Sequence, residues 1–368
     1  MSKQEIYLNH AGTSWPKPQV VVDAVQGAMA GSSSRWGEHF DMAHHTIAKF
    51  FGIRDPEQLL LTPGCTSSIA VATGDIDLGG RARVLTSAWE HHAMHRPLLK
   101  MAERGVTVEY VPPGVESPFD LNKLEEQLSK GDVGLVAITI SSNVTGDVLP
   151  FEETIELAHR YDAQVMLDAA QVVGWFNLDF VTLGADLVAF GGHKGLQGPW
   201  GIGGLYIAEG ARMTCSSASC ELTPSNRALR PGYCDVGSVD QVALAGLHAA
   251  VEWLGQMDRP AQLQSAREKI GQIETALNDA GARCVSIHEP SQRMPSVAFS
   301  VSDQPSGKIA VSLRALGIIV GSGLQCSPLA HQTIGTESEG LVRISVGMGQ
   351  REQDIQTAIE TICGFIAT

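Results

Sequence analysis

The seven cysteines, at positions 65, 215, 220, 234, 284, 326 and 363, include no CxxC pair, and their number is odd. A disulfide framework and a zinc site are both poorly served by that pattern. Cys215, Cys220 and Cys234 lie close enough together to leave a metal or redox role open beside the blander reading as surface thiols. Long apolar runs are also missing: nothing approaches about 18 consecutive apolar residues, and the opening Met1-Ser2-Lys3-Gln4-Glu5 lacks an apolar signal segment. The expectation is a cytoplasmic chain with no membrane partner. Positive charge is scarce, with 26 Lys and Arg against 40 Asp and Glu for a formal charge of −14. Nonspecific nucleic-acid binding needs basic surface to displace counterions, so small molecules or other proteins are the expected partners. Internal repeats and low-complexity tracts are absent from the sequence.

What remains is an ordinary globular balance, 43% hydrophobic and 18% charged, over 368 residues. That length allows one large domain and one smaller one. Short apolar runs alternate with helical periodicity, which is the pattern of an α/β fold. Strands are expected at Leu59 to Thr62, Ala82 to Thr86, Val106 to Val111 and Val133 to Ile140, with helices between them. Val20 to Met29 reads as the first helix, and Val239 to Leu254 as a long helix joining the two domains. Beyond it, Ile270 to Ala280, Ser296 to Val301, Ile309 to Leu316 and Leu341 to Val346 outline a smaller α+β unit.

Lys194 carries the strongest chemical signal. It follows the apolar run Ala185-Asp186-Leu187-Val188-Ala189-Phe190 and a glycine turn, Gly191-Gly192-His193-Lys194, so it sits at a strand end. An amine in that position can form a Schiff base. The second strand end, Val165-Met166-Leu167-Asp168, delivers a carboxylate 26 residues earlier, a spacing that fits one βαβ crossover. A carboxylate in an apolar setting requires a cation. The protonated ring nitrogen of pyridoxal phosphate is such a cation, and a lysine with an aspartate at adjacent strand ends points to that cofactor.

Two further segments suit the same chemistry. In Thr62-Pro63-Gly64-Cys65-Thr66-Ser67-Ser68 a strand gives way to glycine and hydroxyl residues that open a helix, an arrangement whose free N–H groups and dipole favour a phosphate. The strand from Val133 ends in Ser141-Ser142-Asn143-Val144-Thr145-Gly146, and open α/β sheets bind ligands at the carboxyl ends of their strands.

Assembled, these segments resemble the fold-type I pyridoxal phosphate enzymes of the class V aminotransferase group, and within it the cysteine desulfurases and selenocysteine lyases. The likeness runs nearly end to end, from Asn9-His10-Ala11 to the last helix. It implies a large, mostly parallel-sheet domain over residues 15–245 and a small α+β domain over 1–14 and 246–368. It makes Lys194 the Schiff-base lysine, Asp168 the partner of the pyridine nitrogen and Gln171 a donor to the ring hydroxyl. In Glu90-His91-His92, His91 matches the histidine that stacks on the ring and assists proton transfer. Cys65, Thr66 and His193 match phosphate contacts. Ser238, in Asp235-Val236-Gly237-Ser238-Val239-Asp240, matches a hydroxyl residue that reaches the neighbouring subunit's phosphate, which implies a homodimer with shared active sites. Asn143 and Arg343 match residues that hold the substrate carboxylate, a task suited to the guanidinium fork. His10 and Ala11 fall on the same substrate side.

Cys326 lies in Gly323-Leu324-Gln325-Cys326-Ser327-Pro328-Leu329-Ala330-His331, similar to the loop whose thiolate takes sulfur from the substrate as a persulfide. The resemblance therefore implies sulfur release from L-cysteine with formation of L-alanine, and a thiol or acceptor protein that receives the sulfur. Departures from the family pattern cluster near the substrate: Gly321 stands where an arginine is usual, Gln325 for a histidine, Gly191 for a serine or threonine, and Asp240 for an asparagine. They keep open a selenocysteine or other C–S lyase, an epimerase or a transaminase of the same fold, and a low-turnover sulfur-relay partner. Gly321, Ser322 and Gly323 read as a mobile lid. The segment Gly31 to Gly37 reads as a loop.

Overall fold

The computed structural model describes residues 5–214 and 239–367. Ser238 and the cluster Cys215, Cys220 and Cys234 lie outside these described residues. In chain order the first part contains β1 (Ile6–Tyr7), α1 (Gln19–Ala30), α2 (Trp36–Phe50), β2 (Leu59–Thr62), α3 (Cys65–Asp75), β3 (Arg83–Ser87) and α4 (His92–Glu103). It continues through β4 (Thr107–Val111), α5 (Leu121–Ser129), β5 (Val133–Thr139), α6 (Phe151–Arg160), β6 (Gln164–Asp168), α7 (Phe180–Leu183), β7 (Leu187–Gly191) and β8 (Gly203–Ile207). The second part holds α8 (Gln241–Gly255), α9 (Arg259–Asp279), β9 (Arg283–Val285), β10 (Ser296–Ser300), α10 (Ser306–Ala315), β11 (Ile318–Ile319), α11 (Pro328–Ile334), β12 (Val342–Ser345) and α12 (Glu352–Ile366).

A seven-stranded sheet in the order β2-β8-β7-β6-β5-β3-β4 forms the larger layer. Six of its strands run in one direction; β8 alone opposes them, antiparallel to both of its neighbours, β2 and β7. Consecutive residues of a strand point to opposite faces, so a sheet covered on both sides needs unbroken apolar runs. In β5 every residue is buried; Val136 and Ile138 join one core cluster while Leu135 and Ala137 join the other. The same division separates Val165 and Leu167 from Met166 in β6.

Strand β8 escapes a reading by apolar runs because it begins with Gly203-Gly204. Both are required by close approach: a Cβ on Gly203 would lie 2.4 Å from Phe190 O, and one on Gly204 would lie 2.6 Å from the Phe190 ring. Helix α2 likewise starts at Trp36, after a 3-10 turn at Ser33–Arg35, inside the segment expected to be a loop.

Two smaller sheets complete the molecule. β12-β10-β9 is antiparallel, and β1 pairs in parallel with β11. This second pairing, with the bridge from Asn9 to Ser345, brings the chain's opening segment against its final third. Helix α8 packs on α1 and α2. Among the described residues no helix is long and apolar enough to cross a membrane.

Candidate active site

Adjacent parallel strands set the geometry. Thr139 at the end of β5 is in register with Asp168 at the end of β6, and Asp168 with Ala189 of β7, a few residues before Lys194. The turn carrying the lysine is fixed from behind. A Cβ on Gly195 would lie 2.3 Å from Val173 O and 2.7 Å from the Trp175 ring, so only glycine lets Lys194 sit this close to the turn after β6. A cavity of about 610 Å³ opens there. Both sheet systems line it: Cys65, His91, Asp168 and Lys194 from the larger one, Asn9, Cys326 and Arg343 from the smaller.

Asp168 is 4% exposed. Its Oδ1 accepts from Cys65 Sγ at 3.2 Å and from Ala170 N at 2.9 Å. Oδ2 has no hydrogen bond among the described residues. Burial lowers the Lys194 ammonium below its ordinary range, with Asp168 the strongest opposing influence. A lysine so placed loses its proton more readily and is available as a nucleophile or base.

His91 caps α4, its Nδ1 accepting from Ala93 N at 3.0 Å. The ring's proton is therefore on Nε2. Burial, then the charge of Lys194, pushes its pKa down to about 4. His193 is pushed to about 4 by burial, then by Lys194 and Lys17; its Nδ1 pairs with Thr13 Oγ1 at 3.1 Å. Both rings are neutral at neutral pH. Beside them Glu90 is fully buried, its Oε1 accepting from Ser87 Oγ and Thr139 N. Burial raises Glu90 to about 8, so it is a neutral acid at neutral pH. Its Oε2 has no partner among the described residues.

Arg343, in β12, is 4% exposed. It donates from Nη1 to Asn143 O at 2.6 Å and from Nη2 to Asn9 Oδ1 at 2.9 Å, while Nε is buried without a partner among the described residues. Burial lowers its pKa only to about 10, and it stays a cation. Asn143, expected on the substrate carboxylate, lines the cavity; Nδ2 donates one hydrogen to Gln325 O at 2.8 Å and Oδ1 accepts from Ser327 Oγ at 2.6 Å. Its side chain thus fastens the Cys326 loop to the larger sheet.

Several hydrogen bonds tie that loop to its surroundings in this structure. Beyond the Asn143 contacts, His92 N donates to Cys326 O at 2.7 Å, Gln325 Nε2 donates to Leu341 O at 2.7 Å, and Gly323 N donates to Ser306 Oγ at 3.2 Å. Gln325 and Cys326 both take positive φ, 47° and 61°; non-glycine residues hold that conformation only where their surroundings fix it. Cys326 is exposed and lines the cavity at once.

His10 requires a correction. Its ring does not line this cavity; it meets Tyr7 edge-on at 5.0 Å and fills the space beside Gly347, where a Cβ would lie 2.2 Å from His10 Cε1. It borders a separate hollow of about 20 Å³ behind Lys194. Ala11 lies on the main cavity, held by N to Ser345 Oγ at 2.8 Å and by its carbonyl, which accepts from Gln171 Nε2 at 3.2 Å. Gln171 and Thr66 also line the cavity. Asn9 was overlooked in the sequence although it adjoins His10; an amide one residue from a chosen histidine gave no separate signal.

The donor set fits pyridoxal phosphate. A carboxylate oxygen of Asp168 left without a hydrogen bond among the described residues, a deep amine on Lys194, and α3 starting without a side-chain cap on its first amides are each matched by a group of that cofactor.

Comparison with known proteins places the chain in a family. A family model described as Aminotransferase class-V matches residues 6–357. A probable cysteine desulfurase of Chlamydia trachomatis serovar D is 29% identical over 385 residues, covering 97% of this chain and 93% of that protein. One from Vibrio cholerae is 27% identical over 382 residues, 97% and 92% covered. Among solved structures, the cysteine desulfurase CsdA of Escherichia coli superposes with a TM-score of 0.87 at 24% identity, covering 98% of this chain and 94% of that one. At that identity the structural likeness speaks for the fold.

Proposed function

This chain belongs to the aminotransferase class-V family, and from that premise we propose that it releases sulfur from L-cysteine, forming L-alanine and a persulfide on Cys326. The observation that carries the reading is the meeting of Lys194, Asp168, Arg343 and an exposed Cys326 on one cavity. The curated relatives above, named for desulfuration of cysteine over nearly their whole length, support the same reaction.

Pyridoxal phosphate, when bound, supplies an electron sink for the bond broken at Cα. Lys194 would hold it covalently through Nζ, Asp168 would face the ring nitrogen, and the amides of α3 with Thr66 and His193 would face the phosphate. Arg343 binds the substrate carboxylate through Nε and orients the amino acid. Lys194, whose proton burial makes easy to lose, would take the Cα proton of the substrate. His91, neutral with its proton on Nε2, moves a proton beside it. The Cys326 thiolate attacks the substrate sulfur; the electrons of the Cβ–S bond stay with carbon, which is then protonated to give alanine. The persulfide passes to a thiol, small or protein-borne, and exposure of Cys326 leaves it within that acceptor's reach.

A homodimer with shared active sites belongs to the proposal, on the match of Ser238 and on the exposed Met29, Trp36 and Met42 of α1 and α2. So does a cytoplasmic setting, where thiols stay reduced. The test is incubation of the holoenzyme with L-cysteine under reducing conditions, wild type beside Cys326→Ala. Sulfide and alanine in equal amounts are expected from the wild type, and near-complete loss of both from the variant. Equal sulfide release by the two proteins would sink the persulfide role; no alanine from either would sink the reaction.

A further inference from the structure

Cys65 stands apart from the two neighbouring roles assigned so far, phosphate contact and sulfur carrier. Its thiol points away from a helix-capping function: Gly64 takes the N-cap position and no side chain caps α3. Instead Sγ donates to Asp168 Oδ1 at 3.2 Å. The same oxygen takes Ala170 N at 2.9 Å, so one carboxylate oxygen is held by two donors, one from the start of α3 and one from the turn after β6. The other oxygen is left for a ligand, on a side chain 4% exposed that lines the cavity. A carboxylate held at a single oxygen by one backbone donor could still rotate about its terminal torsion, which is broad. A second donor on that oxygen fixes it.

We propose that Cys65 is a positioning residue for the cofactor, its thiol proton locking the Asp168 carboxylate so that Oδ2 faces the pyridine nitrogen. The proposal rests on the reading that the cavity holds pyridoxal phosphate. It also separates the two cavity cysteines. Burial, then the charge of Asp168, pushes the Cys65 thiol well above its ordinary range, and only a thiolate is a competent nucleophile. Cys65 therefore remains a hydrogen-bond donor while Cys326 carries sulfur.

The test compares wild type, Cys65→Ser and Cys65→Ala. Apo forms of each are titrated with pyridoxal phosphate. A thiol is a weak donor, but the acceptor is charged, so Cys65→Ala is expected to bind the cofactor about five- to tenfold more weakly. Cys65→Ser, which keeps an O–H donor, is expected to bind within about twofold of wild type by the same reasoning. An alanine variant as tight as wild type, or a serine variant as weak as alanine, overturns the proposal. A second measurement needs neither cofactor nor the alanine variant. The S–H stretching band of Cys65, isolated in the infrared difference between wild type and Cys65→Ser, should move toward the free-thiol frequency in Asp168→Ala; an unmoved band overturns the proposal as well. Failure of wild type itself to bind pyridoxal phosphate would sink the cofactor reading instead, so the two failures are distinct.

Discussion

Replacing Gly321 by alanine tests whether Arg343 is the group that holds the substrate carboxylate. A Cβ at 321 would lie 2.9 Å from Asn9 Oδ1, 3.3 Å from Arg343 Nη2 and 3.5 Å from Arg343 Nε. The backbone cannot retreat, because Gly321 and Arg343 exchange a pair of N–H to O bonds at 2.9 Å each. The side chain of Asn9 must move instead, and with it goes the 2.9 Å hydrogen bond from Arg343 Nη2. A hydrogen bond to a charged group contributes about 1.5–3 kcal/mol, and crowding of this kind costs about 1–3 kcal/mol. If about 1.4 kcal/mol of that falls on the orientation of Arg343, substrate binding weakens about tenfold. The expected result in steady-state sulfide release is a KM for cysteine about tenfold higher with kcat little changed, since the guanidinium holds the carboxylate alike before and during reaction. Asn9→Ala removes the atom that the new methyl meets. In that background Gly321→Ala should have almost no further effect on KM, giving a coupling of about 1.4 kcal/mol between the two positions. An unchanged KM in the single variant, or strictly additive effects in the double one, would refute the assignment.

Other outcomes follow from the buried titratable groups. Because Glu90 is a neutral acid below about 8, Glu90→Gln should cost under about 1 kcal/mol in urea unfolding, and Glu90→Ala about 2–3 kcal/mol through unpaired donors on Ser87 and Thr139; equal losses would show the side chain to be charged. Its raised pKa gives stability that is present below its unfolded value near 4.5 and fades as pH rises through about 8, so between about pH 4.5 and 8 the unfolding midpoint of wild type should fall more steeply than that of Glu90→Gln. His193, lowered from 6.5 to about 4, acts oppositely: its contribution is present above 6.5 and fades as pH falls toward 4. His193→Asn should therefore flatten the acid limb of the thermal unfolding curve, and an unchanged limb would contradict a neutral buried ring.

Much of the fold was written in local pattern. Unbroken apolar runs marked β5, β6 and β7 because a sheet covered on both faces leaves no polar alternation to read. Those same runs end in Asp168 and Lys194, so the paired strand ends that define the site could be named from spacing alone. The glycines of β8 hid a strand, since their purpose is to admit Phe190, a residue a dozen positions away in the chain. The partners of the Cys326 loop were equally hidden: Asn143 and His92 hold Gln325 to Ser327, and Ser306 holds Gly323, from distant parts of the chain.

The sequence by itself determined the chemistry available to this protein: a lysine and an aspartate at neighbouring strand ends, an arginine in a late strand, a cysteine in a glycine-rich turn. Each is a matter of residue type and local period, which short-range sterics and hydrophobic burial enforce. Only the tertiary structure decided which groups are free to use that chemistry. Asn143 was tied to the Cys326 loop, His10 was set behind the cavity, Asn9 was placed against Arg343, and the Cys65 thiol was aimed at Asp168. Those outcomes depend on contacts between segments more than a hundred residues apart, where hydrogen bonds and steric fit, rather than sequence period, choose the partner.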